Sequence, residues 1–256
     1  MRRILLLSTS TVHGTGYMEY AVPYIDDFLA GIREILFVPY ARPGGISHDR
    51  YAELFRSALE AAGYRVQSIH EATDPAAAIK AAGAVFVGGG NTFVLLNALR
   101  EQRLVELVRQ RVAAGMPYIG SSAGSNVAGL SLATTNDMPI VQPSSFEAFG
   151  LVPFNINPHY IDSDPGSTHM GETRETRIKE FHAFNPQPVV ALREGALLRV
   201  QGDQATVEGD RGGRLFLAGH APTELSSGDR LDDLLARLCA SDTPTRTAAG
   251  TRERPS

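Results

Sequence analysis

The chain has 256 residues, 43% hydrophobic and 20% charged, with a formal net charge of −4. Acids and bases are interleaved, which argues against a nucleic-acid partner, and no apolar run approaches the roughly 20 residues that span a bilayer. The single cysteine, Cys239, excludes an intrachain disulfide and a cysteine-rich metal site, and suits a reducing, cytoplasmic setting.

The chain opens on MRRILLLSTS. Its apolar run is too short for a signal-peptide core, so 4–10 reads as a first buried strand. Residues 17–32 read as a helix complicated by Pro23, and 34–41 as a second strand. Residues 47–63 form a helix with Ser47 as N-cap and Gly63 as the stop. Further strands fall at 64–70, 84–89 and 117–121, separated by helices at about 75–82 and 92–114. Continuous apolar strands alternating with helices predict an α/β fold with a mostly parallel sheet covered on both faces. Beyond residue 130 the pattern changes: PFNINPHY and PVVALRE read as strands, 196–209 as a hairpin turning at GDQ, 214–219 as another strand and about 228–240 as a helix. One domain over 1–240 is expected, with 241–256 a flexible tail and 161–170 a loop-like flap.

Strand, then Gly120-Ser121-Ser122-Ala123-Gly124, then a helix-like stretch is the setting of a nucleophile elbow. The frame makes Ser122 the central residue, and the Ala123 N–H lies where a helix N-terminus favours an oxyanion. The plain alternative is a tight turn between strand and helix. A second glycine cluster, Gly88, Gly89, Gly90 and Asn91, ends another strand at the same sheet edge and can offer a second N–H. As a phosphate loop it fails, because no G-K-[ST] follows.

A serine nucleophile needs a base. Of His13, His48, His70, His159, His169, His182 and His220, only His159 ends a strand next to a proline that fixes the chain. An imidazole needs a carboxylate to hold its tautomer, and Asp137 and Glu194 both stand near strand ends. The expectation leans to Asp137.

The segments GGGNTF (88–93), YIGSSAGSN (118–126), TTNDMPIV (134–141), INPHY (156–160), GETRETRI (171–178) and REG (193–195) resemble serine peptidase family S51, the aspartyl dipeptidase (peptidase E) family. The resemblance spans most of residues 1–220 and keeps the family's order. It implies a flavodoxin-like αβα sandwich similar to class I glutamine amidotransferases, with a C-terminal β-hairpin. It also implies metal-free and cofactor-free hydrolysis of peptides with an N-terminal aspartate, and a homodimer. By motif, Ser122 is the nucleophile, His159 the base, and Asp137 or Glu194 the third member. Gly88 to Gly90 and Ala123 form the oxyanion hole. Arg174 binds the substrate's aspartyl carboxylate, with Asn91 beside it. The chain departs from the family in carrying Ser121 where peptidase E sequences carry a tryptophan, which bears on fine specificity. The competing readings are a cyanophycinase-like S51 peptidase, and a non-catalytic amidotransferase-like binding protein in which the elbow survives as a ligand turn.

Overall fold

Apolar strand residues sort by alternation onto two faces. In this computed structural model, which describes residues 1–164, 166, 168 and 171–241, the elements run in chain order as follows. They are β1 (Arg3–Leu7), α1 (Val22–Leu29), β2 (Glu34–Val38), α2 (His48–Glu60), β3 (Arg65–Ser68), α3 (Pro75–Ala81), β4 (Val85–Val87), α4 (Thr92–Glu101), α5 (Leu104–Ala113), β5 (Tyr118–Ser121), α6 (Ala123–Asn126), β6 (Asn155–Asn157), α7 (Arg174–His182), β7 (Val189–Leu192), β8 (Leu197–Gln201), β9 (Gln204–Glu208), β10 (Gly213–Phe216), β11 (Thr223–Leu225) and α8 (Asp232–Ser241).

The large sheet has the order β3-β2-β4-β5-β1-β8-β9. Neighbours from β3 to β1 pair in parallel, and β8 and β9 add an antiparallel hairpin at the end. Counted from β2, the run β3-β2-β4-β5 follows the flavodoxin-like strand order, and the N-terminal strand fills the fifth place. Ile4, Leu6, Leu36, Val38, Val85, Val87 and Tyr118 face one layer, with α3, α4 and α5 packed on them. Leu5, Leu7, Ile35, Phe37, Phe86 and Ile119 face the other, under α1 and α2. Phe37 stacks on Phe55 of α2 with centroids 4.2 Å apart. The expected two-sided α/β sheet and its hairpin are present.

A second sheet, β11-β10-β7-β6, was not expected as a separate unit. Ile156, Val190 and Leu192 turn one of its faces to the main core. Tyr160, Val189, Ala191 and Phe216 turn the other to Ile178 of α7. Only Asn155–Asn157 of the expected strand 153–160 pairs with β7. The free side of β6 is held by polar side chains instead. Asn157 Nδ2 donates to Thr134 O (2.8 Å), Asn126 Nδ2 to Ile156 O (2.7 Å), and Asn155 Oδ1 accepts the Ser131 N–H (2.9 Å). These bonds carry the 131–138 segment to the mouth of the main sheet.

Other boundaries moved for local reasons. The expected helix 92–114 is two helices, because Arg103 between them takes φ 57°, a left-handed conformation that breaks the α-helical run. The expected helix 17–32 is only Val22–Leu29, starting where Pro23 is tolerated in the first turn. The expected tail, from 242 on, lies outside the described residues, and the expected flap does so at residues 165, 167, 169 and 170. Among the described residues no helix is long and apolar enough to cross a membrane.

Candidate active site

The turn after β5 has little freedom. Ser122 takes φ 53° and ψ −110°, a conformation that side-chain-bearing residues seldom adopt and that costs of order 1–3 kcal/mol. The surroundings enforce it. A Cβ on Gly120 would lie 2.5 Å from Gly124 O, and one on Gly124 would lie 2.1 Å from Val87 O of β4. Glycine on both sides of Ser122 is therefore a packing requirement, and it seats α6 directly on the ends of β4 and β5. The Ser122 N–H donates to Leu7 O of β1 (3.1 Å). Ser125 Oγ lies 2.6 Å from Leu7 O and 2.8 Å from Gly120 O.

The glycine loop after β4 closes on the same turn. A Cβ on Gly89 would stand 3.0 Å from Ser122 Cβ, so this backbone passes against the serine. Gly90, at φ 143°, passes so close to Ala41 that a Cβ would be 2.1 Å from its carbonyl oxygen. The Gly88 N–H, one of the expected oxyanion donors, is already given to Val38 O (3.0 Å). The N–H groups of Gly89, Gly90 and Ala123 have no acceptor among the described residues. The expected set thus narrows to Gly89, Gly90 and Ala123. Asn91 has a structural task as well: its Oδ1 caps α4 by accepting the Val94 N–H (3.1 Å) and its Nδ2 donates one hydrogen to Met138 O (2.9 Å), so half of the amide's bonding capacity is used within the protein.

His159 follows β6 and Pro158, also at positive φ, 53°. Its Nε2 lies 2.8 Å from Ser122 Oγ and its Nδ1 lies 2.7 Å from Glu194 Oε1. Glu194 sits in the turn after β7. Beside it Arg193 is clamped between Asp162 (2.6 and 3.0 Å) and Glu224 of β11 (2.5 and 3.1 Å), and these partners raise its pKa further above the ordinary arginine range. Arg193 thereby fixes the turn, a role beyond what its place within REG (193–195) indicated.

The lean toward Asp137 at the imidazole does not match the structure. Asp137 Oδ2 accepts the Thr92 N–H (2.7 Å), the Thr92 hydroxyl (2.5 Å) and the Thr135 hydroxyl (3.1 Å). That oxygen is tied to the start of α4, and the carboxylate oxygen bonded to the imidazole belongs to Glu194. Thr92 and Thr135, which hold it, were also missed. Their only sequence signal was their place within GGGNTF and TTNDMP.

Ser122, His159, Asp137, Thr92, Asn136 and Arg174 converge on a cavity of about 230 Å³. Arg174 begins α7 behind the Thr173 N-cap, which accepts the Thr176 N–H (3.1 Å). Burial lowers the Arg174 pKa, nearby Arg177 lowers it further, and Asp137 opposes the shift. Among the described residues Arg174 forms no ion pair, whereas Arg177 lies 3.7 Å from Glu172. A half-buried guanidinium with no paired carboxylate is a ready seat for an anion.

The other described histidines are engaged elsewhere or exposed. His182 Nε2 lies 3.0 Å from Gln187 O, His220 Nδ1 lies 2.9 Å from Ala218 O, His48 packs edge-on to Tyr40, and His13 is exposed. Asp49, His70 and Glu71 bring their ligand atoms within 4.8 Å of one another, the one such trio of metal-binding types among the described residues. Both His70 nitrogens are hydrogen-bonded, to Ser68 and Asp49, and Glu71 grips Arg56 with both oxygens.

Residues 4–208 match the model of peptidase family S51. The chain belongs to peptidase family S51. It is 53% identical over 244 residues to the Streptomyces coelicolor protein named peptidase E, covering 95% of this chain and 99% of that one. It is 50% identical over 228 residues to the Drosophila melanogaster probable alpha-aspartyl dipeptidase, covering 88% and 94%. The crystal structure of a peptidase from an acI-B1 actinobacterium superposes with a TM-score of 0.65 at 18% identity, covering 90% of this chain and 96% of the other, and shares the fold. As a family S51 member the chain is a serine-type peptidase, and a peptide is its substrate.

The elbow itself is testable in this family S51 chain. Gly124→Ala forces a methyl group into Val87 O and should destabilise the fold by about 3–5 kcal/mol, the scale of severe core clashes. Urea unfolding measures it; a loss below about 1 kcal/mol would show that the turn relaxes.

Proposed function

We propose that this protein hydrolyses dipeptides with an N-terminal aspartate by acyl transfer to Ser122. The observation that carries the reading is the unbroken hydrogen-bonded chain from Ser122 Oγ to His159 (2.8 Å) to Glu194 (2.7 Å), opening on the cavity that holds Arg174, which has no ion pair among the described residues. The names of the Streptomyces and Drosophila relatives support the substrate class.

In this mechanism His159 Nε2 takes the Ser122 proton as Oγ attacks the scissile carbonyl. Glu194 accepts the Nδ1–H, keeps Nε2 basic, and stabilises the imidazolium that forms. The Ala123 N–H and the Gly89 N–H receive the oxyanion, since both residues lie beside Ser122 and neither N–H has an acceptor among the described residues. His159 then protonates the leaving amine, and water releases aspartate by the reverse steps. Arg174 pairs with the aspartyl side chain. The second oxygen of Asp137, free of the three bonds that hold Oδ2, accepts the substrate's α-ammonium. Arg174 also lines a neighbouring cavity of about 420 Å³ with Asp162, Glu172 and Arg177, so the aspartyl pocket of about 230 Å³ has room beside it for the rest of a peptide.

The decisive experiment is a panel of Asp-X, Glu-X, Asn-X and X-Asp dipeptides, with only Asp-X expected to turn over. Ser122→Ala should abolish that turnover while Ser121→Ala keeps most of it, because Ser121 Oγ is buried and makes no hydrogen bond among the described residues. Equal loss in both folded variants would move the nucleophile.

The two acids should separate kinetically. Glu194→Gln holds the wrong tautomer and should lower kcat by roughly two to four orders of magnitude. Asp137→Asn should act mainly by raising KM. Reversed effects would return Asp137 to the imidazole.

Arg174→Ala should lower kcat/KM for Asp-X by roughly three orders of magnitude, or ~4 kcal/mol, since it strands the substrate carboxylate. Lysine should rescue only partly, lacking the planar fork. An Arg174→Ala enzyme that still prefers Asp-X to Asn-X reads the carboxylate with another group.

A further inference from the structure

We infer that Ser8 is a positioning residue whose buried hydroxyl sets where His159 stands. The inference rests on the reading of His159 as the base. Ser8 follows β1 directly and is fully buried. Leu192 O can only accept, so the Ser8 hydroxyl donates to it (2.8 Å), and a lone pair of the same oxygen accepts the His159 N–H (2.9 Å). The Ser8 N–H in turn donates to Ala196 O (3.1 Å). Leu192 and Ala196 flank Glu194, so one residue ties both sides of the glutamate turn to the backbone of the histidine. Its neighbour Leu7 takes the Ser122 N–H (3.1 Å). Two consecutive residues at the end of β1 thus hold the backbones around all three groups of the chain.

The hydroxyl matters most at His159. That residue is held at φ 53°, where few side-chain-bearing residues rest without outside bonds. Its N–H ties its backbone to the Ser8 hydroxyl, just beyond the end of β1. Removing the acceptor frees the turn to relax toward an ordinary conformation, which moves Nε2 relative to Ser122. Leu192 O keeps a donor in the Tyr160 N–H (2.9 Å), so the damage concentrates on the histidine. A displacement of about 1 Å in a reacting group can cost 100-fold in rate.

The test compares Ser8→Ala, Ser8→Cys and Ser68→Ala with the unaltered protein. Ser68 is equally buried but lies on β3, far along the sheet from the elbow. Ser8→Ala should lower kcat for Asp-X by roughly 10- to 100-fold with KM nearly unchanged. It should slow fluorophosphonate labelling of Ser122 by a similar factor, and shift or broaden the low-field proton signal of His159 Nδ1. Ser8→Cys, nearly isosteric and a weak hydrogen-bonding group, should fall between, and it carries the test if the alanine variant does not fold. Ser68→Ala should change stability but none of these readouts. Wild-type kcat, labelling rate and proton signal in a folded Ser8 variant would overturn the inference. An unaltered protein that takes up no probe would overturn the peptidase mechanism instead, and the His159 proton signal would then decide the role of Ser8.

Discussion

The rest of the site depends on one backbone conformation, the positive φ of Ser122 at the end of β5. It survives because its surroundings leave no alternative: Gly120 and Gly124 meet backbone atoms where a Cβ would stand, and Leu7 O takes the Ser122 N–H. The strain of order 1–3 kcal/mol is met by packing α6 onto two strands at once. The consequence is chemical. The side chain leaves the turn toward the carboxyl edge of the sheet, and the next N–H, on Ala123, has no acceptor among the described residues. Gly89 can pass against Ser122, and Gly90 against Ala41, because they too lack a Cβ.

Two arginines show how pairing separates support from function. Arg193 spends its guanidinium on Asp162 and Glu224, and what it gains is a rigid turn that presents Glu194. Arg174 is also partly buried, yet no carboxylate among the described residues neutralises it, and burial pulls its pKa down. Keeping such a cation costs stability, a cost that an anionic ligand offsets. The same contrast applies to the acids. Asp137 has one oxygen saturated by two threonines and the start of α4, while Glu194 has Oε1 against the imidazole.

The second sheet is what brings His159 to Ser122. The parallel sheet supplies Ser122 and the glycine loop from its own strand ends, but His159 and Glu194 come from β6 and β7, outside that sheet. They reach Ser122 because the two sheets share an apolar layer through Ile156, Val190 and Leu192. They are also bonded to β1 through Ser8. The polar residues of β6 complete the mouth of the site. Asn155 and Asn157 are buried, and their amides draw in the segment that carries Asp137.

By itself the sequence determined the parallel αβα sheet and the hairpin at its end, and it offered as candidates Ser122, in its elbow frame, and His159, which the structure places 2.8 Å apart. Each of these is written in local pattern: alternating apolar runs, glycines at fixed spacing, a proline before a histidine. It could not choose between Asp137 and Glu194, because both are acids near strand ends and the choice depends on a distance across two sheets. It assigned Gly88 and Asn91 to ligand contacts, since nothing local says that Val38 takes the first N–H and that α4 and Met138 use half of the second residue's amide. It read residues 92–114 as one helix, because nothing in an apolar period of helical type reveals that Arg103 turns left-handed. Ser8 was silent for the same reason, and Thr92, Thr135 and Arg193 lay within quoted motifs without showing what they hold. A hydroxyl or guanidinium gains its role from the carbonyls and carboxylates that folding sets around it, and those lie tens of residues away along the chain.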